Sequence, residues 1–355
     1  MFSKKSLSAV LVLMIAVAGV FAQEEILSVK FKHQQESALI NNEEKTIFVK
    51  VPYSAGGKLY PLSKAVLENI EFSGNFTHNL PETVDLRKDF SFTVSDSKGK
   101  KTEWKIKGGY QLPDSDFGTW HTEKITGFLT IGSTKCDDMP GPAFNVWDNG
   151  NPAFSASGSK NWPTKKIVLK DGSVAAELTT RKVVGTIASG NLFTGYAVRD
   201  MSLKQLLGFT DKDGKALITW GVPFEGRPKG FKVKFFYDGK DDECSLVATL
   251  ENRNGSKRRF VANACYIGKT DSRNSCSCPT QISAADSNGL KTLTVDFLYG
   301  TYPAGANPIP EGVVQGSGDE DVNIVNVVFA SSAHGDYFEG KKNARLIVKD
   351  FEFIY

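Results

Sequence analysis

Apolar and polar residues alternate along most of this chain at the two-residue period of a half-buried strand, and the longest such signal lies in residues 220–239, WGVPFEGRPKGFKVKFFYDG. Pro223, Gly226, Pro228 and Gly230 punctuate a tight entry, after which Phe231, Val233 and Phe235 alternate with Lys232, Lys234 and Phe236. The pattern predicts the central strand of a sandwich, with no chemistry in it. Upstream the same period recurs in ILSVKF from Ile26, TIFVKV at 46–51, AVLENIEF at 65–72, FSFTV at 90–94 and TEWKIK at 102–107. Turn residues break these runs at the spacing of a small antiparallel sandwich, so residues 23–107 are expected to form an immunoglobulin-like module. It lacks a Cys-to-Cys bridge, since no cysteine precedes Cys136, and Trp104 reads as core. Gly108-Gly109 and the polar stretch 113–116 mark the seam.

Beyond the seam, strand patterns fall at 166–169, 173–180, 183–188, 230–237, 244–250, 260–267, 291–299, 322–329 and 344–355, and only 201–207 reads as helical. An α/β fold needs long helices between strands, so these runs predict an all-β chain in which a C-terminal jelly roll, 108–355, follows the immunoglobulin-like sandwich. A length of 355 residues suits two such domains.

The first 22 residues set Lys4 and Lys5 before an apolar run from Leu7 and a Val20-Phe21-Ala22 cleavage site, which reads as a secretory signal. The run is too short and too soon followed by Gln23-Glu24-Glu25 to read as a transmembrane span, so the protein is expected to be exported to the periplasm, the cell surface or the medium. The formal charge of +3 falls to +1 without the two leader lysines, and basic residues are interleaved with acidic ones. Nucleic acid is therefore not an expected partner.

The four histidines, His33, His78, His121 and His334, never approach zinc-helix spacing, and the sequence contains no GxSxG elbow or phosphate loop. No catalytic residue and no cofactor can be named. Calcium is the metal an oxygen-rich jelly roll would take, with Asp350 or Asp319-Glu320-Asp321 as donors, but neither has distinguishing ligand spacing.

GNLFTG at 190–195, residues 221–239, SSAHGDYFEG at 331–340 and LIVKDFEFIY at 346–355 follow one another in the order and spacing of a known family. Together they make residues 114–355 resemble the carbohydrate metabolism domain of gut anaerobes, and FSFTVSDSKGKKTEWKIK at 90–107 resembles the last hairpin of the immunoglobulin-like modules that precede such domains. The resemblance implies a jelly roll similar to carbohydrate-binding modules and carries over no catalytic residue. It implies a non-catalytic glycan-binding role in a polysaccharide acquisition system, with a polysaccharide or oligosaccharide and other surface glycan-system proteins as partners. A glycoside-active enzyme and an adhesive surface subunit remain the alternatives.

A pyranose packs its C–H face on an aromatic ring while planar polar groups bond its hydroxyls. Trp147, Asp148 and Asn149 in one loop, Trp162 in another, and Arg227, Tyr237 and Tyr299 near strand ends are the residues that fit this chemistry.

In CSLVATLENRNGSKRRFVANAC, Asn254-Gly255 is a strong hairpin signal, and placing it as a two-residue turn sets Cys244 opposite Cys265, within reach of a bridge. A longer loop over 252–257 would shift the register and part the thiols. Cleavage after Ala22 leaves Gln23 first, so mass spectrometry of the native protein is expected to find that N-terminus; an intact Met1 would overturn the export reading.

Overall fold

The computed structural model describes residues 25–355 apart from 127–132, 144, 157–160, 184, 200–217 and 271–272. The expected signal sequence and the helical pattern at 201–207 lie outside the described residues. What is described is all-β, and no helix among these residues is long and apolar enough to cross a membrane.

Two main sheets and the short Ser54–Ala55/Lys58–Leu59 ladder form the N-terminal part. One has the order Ile26–Phe31, Ala65–Phe72, Thr83–Val84; the other runs Leu39–Asn41, Thr46–Lys50, Lys101–Gly109, Phe90–Ser95, Thr77–His78. Alternation decides which side chains face inward: Phe92, Val94, Trp104 and Ile106 are buried, and Ser91, Glu103 and Lys105 between them are exposed.

The remainder is a sandwich of a six-stranded and a nine-stranded sheet. The six-stranded sheet runs Thr164–Val168, Val174–Thr179, Arg345–Ile354, Gly230–Asp238, Lys291–Asp296, Thr280–Ala285. Gly230–Asp238 is interior to it, as its alternation requires: Phe231, Val233 and Phe235 are buried, while Lys232 and Lys234 pair on the other face with Glu352 at 2.8 Å and Asp350 at 2.9 Å. The main path of the nine-stranded sheet runs Trp147–Asn149, Asn191–Ala197, Ile324–Ala330, Cys244–Asn254, Lys257–Gly268, Leu298–Tyr299. Asn191–Ala197, Trp147–Asn149, Thr280–Ala285, the Trp120–Thr126/Ser133–Pro140 hairpin and the helix Asn151–Ala156 lie outside the predicted runs, because each is short or polar and is held by its neighbours more than by its own alternation. Phe351 occupies the middle of the core, with ring centroids of Phe231, Phe329, Phe353 and Trp147 between 5.0 and 5.8 Å away.

At the seam expected from sequence the structure forms a buried aromatic junction. The Tyr355 hydroxyl donates to the Tyr110 carbonyl at 2.9 Å, and the Tyr110 hydroxyl accepts from the Glu225 amide at 2.6 Å. Tyr53 lies edge-on to Tyr110, and its hydroxyl donates to the Pro223 carbonyl at 2.8 Å. Gly109 is glycine because a Cβ there would collide with the Tyr355 ring. One continuous apolar core therefore joins Phe31 and Trp104 to Phe224 and Phe353.

The expected Cys244–Cys265 bridge is replaced by Cys265–Cys276, and Cys244 is a free buried thiol. The turn sits one residue later than predicted, on Gly255-Ser256, with Asn254 opposite Lys257. Gly255 takes φ +60° at the first central position, where a type II′ turn calls for glycine. Moving the turn by one residue shifts the pairing by two, and a bulge between Leu250 and Glu251 adds a third, so Cys244 faces Gly268 and Cys265 faces Val247. An odd total shift puts the two thiols on opposite faces of the sheet.

Two outcomes follow from this packing. Truncating Phe351 to Ala is expected to destabilise the protein by about 3–5 kcal/mol, measured by denaturant unfolding. Non-reducing peptide mapping of the oxidised protein is expected to link the Cys265 and Cys276 peptides and to leave Cys244 alkylatable only after unfolding; a Cys244–Cys265 crosslink would contradict the observed register.

Candidate functional site

The nine-stranded sheet turns one face to the core and the other outward. Along Cys244–Asn254 the core side takes Cys244, Leu246, Ala248 and Leu250, so Ser245, Val247, Thr249 and Glu251 point outward. Register then places Asn326, Thr249 and Asn263 side by side on three adjacent strands, on the sheet face turned away from the Phe351 core; Asn326 is half-buried there, and Thr249 and Asn263 are buried. Strands lie about 4.8 Å apart, so the row spans roughly 10 Å, the length of about two sugar rings. The Asn263 side-chain amide donates to Gln315 Oε1 at 3.0 Å, and Gln315 in turn donates to the Phe260 carbonyl at 2.8 Å, which fixes both amide planes.

Asn326 Oδ1 and Asn263 Oδ1 are buried and accept no hydrogen bond from any described residue. Asn307 Oδ1 is likewise buried without a donor among the described residues, while its Nδ2 donates to the Ala333 carbonyl at 2.9 Å, beyond the end of Ile324–Ala330. An unpartnered buried acceptor costs about 1–3 kcal/mol, so two on the strands either side of Thr249 point to an incoming donor. At the opposite end Glu251 is fully buried and held by Arg253 at 2.7 Å and Arg258 at 3.2 Å.

On the flank beyond Asn326, Phe193 faces Val328, and Trp220, paired with Gly195, packs on Phe193 at 4.9 Å between centroids. Trp220 is half-buried.

The residues chosen from sequence are scattered. Trp147 is 3% exposed, packs against Phe117, Phe329 and Phe351, and donates its Nε1 hydrogen to the Pro113 carbonyl at 3.0 Å. Trp162 belongs to a small core with Ile125, Met139 and Phe154. Tyr237 is buried, with its hydroxyl donating to the Ser331 carbonyl at 2.9 Å. Asn149 is fully buried and donates to the Asp138 carbonyl at 3.0 Å. These four therefore present no open ring face or free amide to a sugar, because the loops assigned to them are a strand, a helix start and core closures.

Asp148 does lie on the outer face, opposite Phe193, but Arg199 holds it at 2.6 Å and bridges onward to Glu123, also at 2.6 Å. Burial pushes the Asp148 carboxyl up against the pull of Arg199. For Glu123 burial acts the same way, yet hydrogen bonds from Arg199 and His121 outweigh it and hold the carboxyl below its ordinary range. His121 completes this network, 2.8 Å from Glu123.

Arg227 and Tyr299 come together, the guanidinium 4.7 Å above the ring, but at the seam and not on the sheet face. Three of the four calcium donors considered from sequence have other partners. Asp350 pairs with Lys234 and Asp321 with Arg87, while Glu320 accepts from the Ser317 and Gly318 amides. The signal that sequence reasoning missed is Asn326 within IVNVVFA, a lone amide in an otherwise apolar strand.

No protein-family model and no curated protein sequence matches this chain. Among solved structures, a candidate glycoside hydrolase from Bacteroides thetaiotaomicron VPI-5482 is similar over 94% of this chain and 97% of its own, at 18% identity and a TM-score of 0.44. A second candidate glycoside hydrolase, from Bacteroides vulgatus ATCC 8482, is 17% identical with a TM-score of 0.44 over 67% of this chain and 96% of its own. The family 11 carbohydrate-binding module from Clostridium thermocellum, in complex with a mixed-linked tetrasaccharide, is 14% identical with a TM-score of 0.28 over 66% and 96%.

Proposed function

We propose that the outer face of the nine-stranded sheet binds a polysaccharide without cleaving it. The observation that carries this reading is the row Asn326, Thr249, Asn263, in which two buried amide oxygens accept nothing from the described residues. Sugar hydroxyls are donors of the right reach for such acceptors, and half-buried Trp220 offers a ring to C–H groups. Cleavage of a glycosidic bond requires two carboxyl groups across the sugar, whereas Glu251, beside this row, is neutralised by two guanidiniums.

In this reading the protein is exported through its N-terminal signal. Residues 23–107 act as an immunoglobulin-like spacer, and 108–355 form the glycan-binding jelly roll, working beside other surface proteins of a polysaccharide acquisition system.

Affinity electrophoresis of the mature protein through a panel of neutral polysaccharides tests the assignment. At least one is expected to retard the wild type. Asn326→Ala and the near-isosteric Thr249→Val are each expected to weaken that retention about tenfold, or ~1.4 kcal/mol, with little change in Tm. A wild type that no neutral polysaccharide retards, or variants that bind like the wild type, would overturn it.

A further inference from the structure

At the seam a recess of about 240 Å³ is lined from the N-terminal side by Arg87, Lys88 and Lys107 and from the other by Arg227, Lys229 and Tyr299. Arg87 is neutralised by Asp85 at 2.8 Å and Asp321 at 3.0 Å. The other four cations have no carboxylate in ion-pair reach among the described residues. Arg227 spends its donors on the carbonyls of Gly318 and Glu320, Lys107 on the carbonyl of Arg227 at 3.1 Å, and Lys88 on that of Asp319 at 3.4 Å. Lys229 is exposed at the rim. Carbonyl oxygens orient these groups but carry no net charge, so the recess keeps a positive potential. Lys107 registers it: burial holds the ammonium below its ordinary range, Asp89 opposes this, and the charges of Lys229 and Arg227 lower it further.

We propose that this recess binds the carboxylate of a uronic-acid residue. A guanidinium 4.7 Å above the Tyr299 ring with two ammonium groups at the rim suits an oxyanion, and Tyr299 and Pro228 supply apolar surface for a sugar ring. The cations are confined to one small recess and do not form a stripe, which fits a single acidic sugar better than a nucleic-acid backbone. The inference rests on the glycan reading, but it concerns a second site, separate from the neutral-sugar row.

Isothermal titration of the mature protein with polygalacturonate, with neutral galactan and dextran sulfate as controls, tests it. Polygalacturonate is expected to bind at low salt, and the double variant Lys88→Gln/Lys229→Gln, two exposed positions, to bind it at least about tenfold more weakly with an unchanged melting curve. Retention of the double variant on whichever neutral polysaccharide the wild type binds is expected to stay the same, which separates failure of this site from failure of the sheet face. Equal affinity of wild type and variant for polygalacturonate, no binding of polygalacturonate at all, or binding of dextran sulfate alone would each overturn the proposal.

Discussion

The pairing register between Cys244–Asn254 and Lys257–Gly268 is the constraint on which the site depends. Side chains alternate faces along a strand, so a slip of Cys244–Asn254 by one residue would send Thr249 into the apolar core and bring Ala248 outward beside Asn263. Three features hold the register: the glycine at the first turn position, the bulge after Leu250, and the second pairing of Cys244–Asn254 with Ile324–Ala330 along its other edge. The last of these also aligns Asn326. A row of three polar groups on three strands is thus a consequence of backbone hydrogen bonding in two ladders, and no loop has to be ordered to make it.

Much of the scaffold was legible in the residues. Alternation in AVLENIEF gave Ala65–Phe72 with its bounds, and the phenylalanines of Gly230–Asp238 were placed on the correct face. The site was not legible, for a physical reason. Aromatic and amide residues clustered in sequence, such as Trp147, Asp148 and Asn149, were read as a binding loop, but a sandwich also needs large rings inside and polar groups to satisfy buried backbone. Those needs consumed them. The residues that do share a face are separated by many positions in the chain and meet through register alone, which a single sequence leaves open. The bridge failed in the same way: the turn was recognised, its position was off by one residue, and the bulge was invisible because no residue type marks it.

The buried seam has a further implication. Tyr110 and Tyr355 tie the end of Lys101–Gly109 to the C-terminal strand and to Glu225 through side-chain hydroxyls bonded to backbone, while Arg87 reaches across to Asp321 and Lys107 to the Arg227 carbonyl. Anything seated in the basic recess would touch cations contributed from both sides of that junction. Its binding free energy would then be indistinguishable from cohesion between the two parts, so occupancy of the recess and the cooperativity of unfolding form a single linked equilibrium.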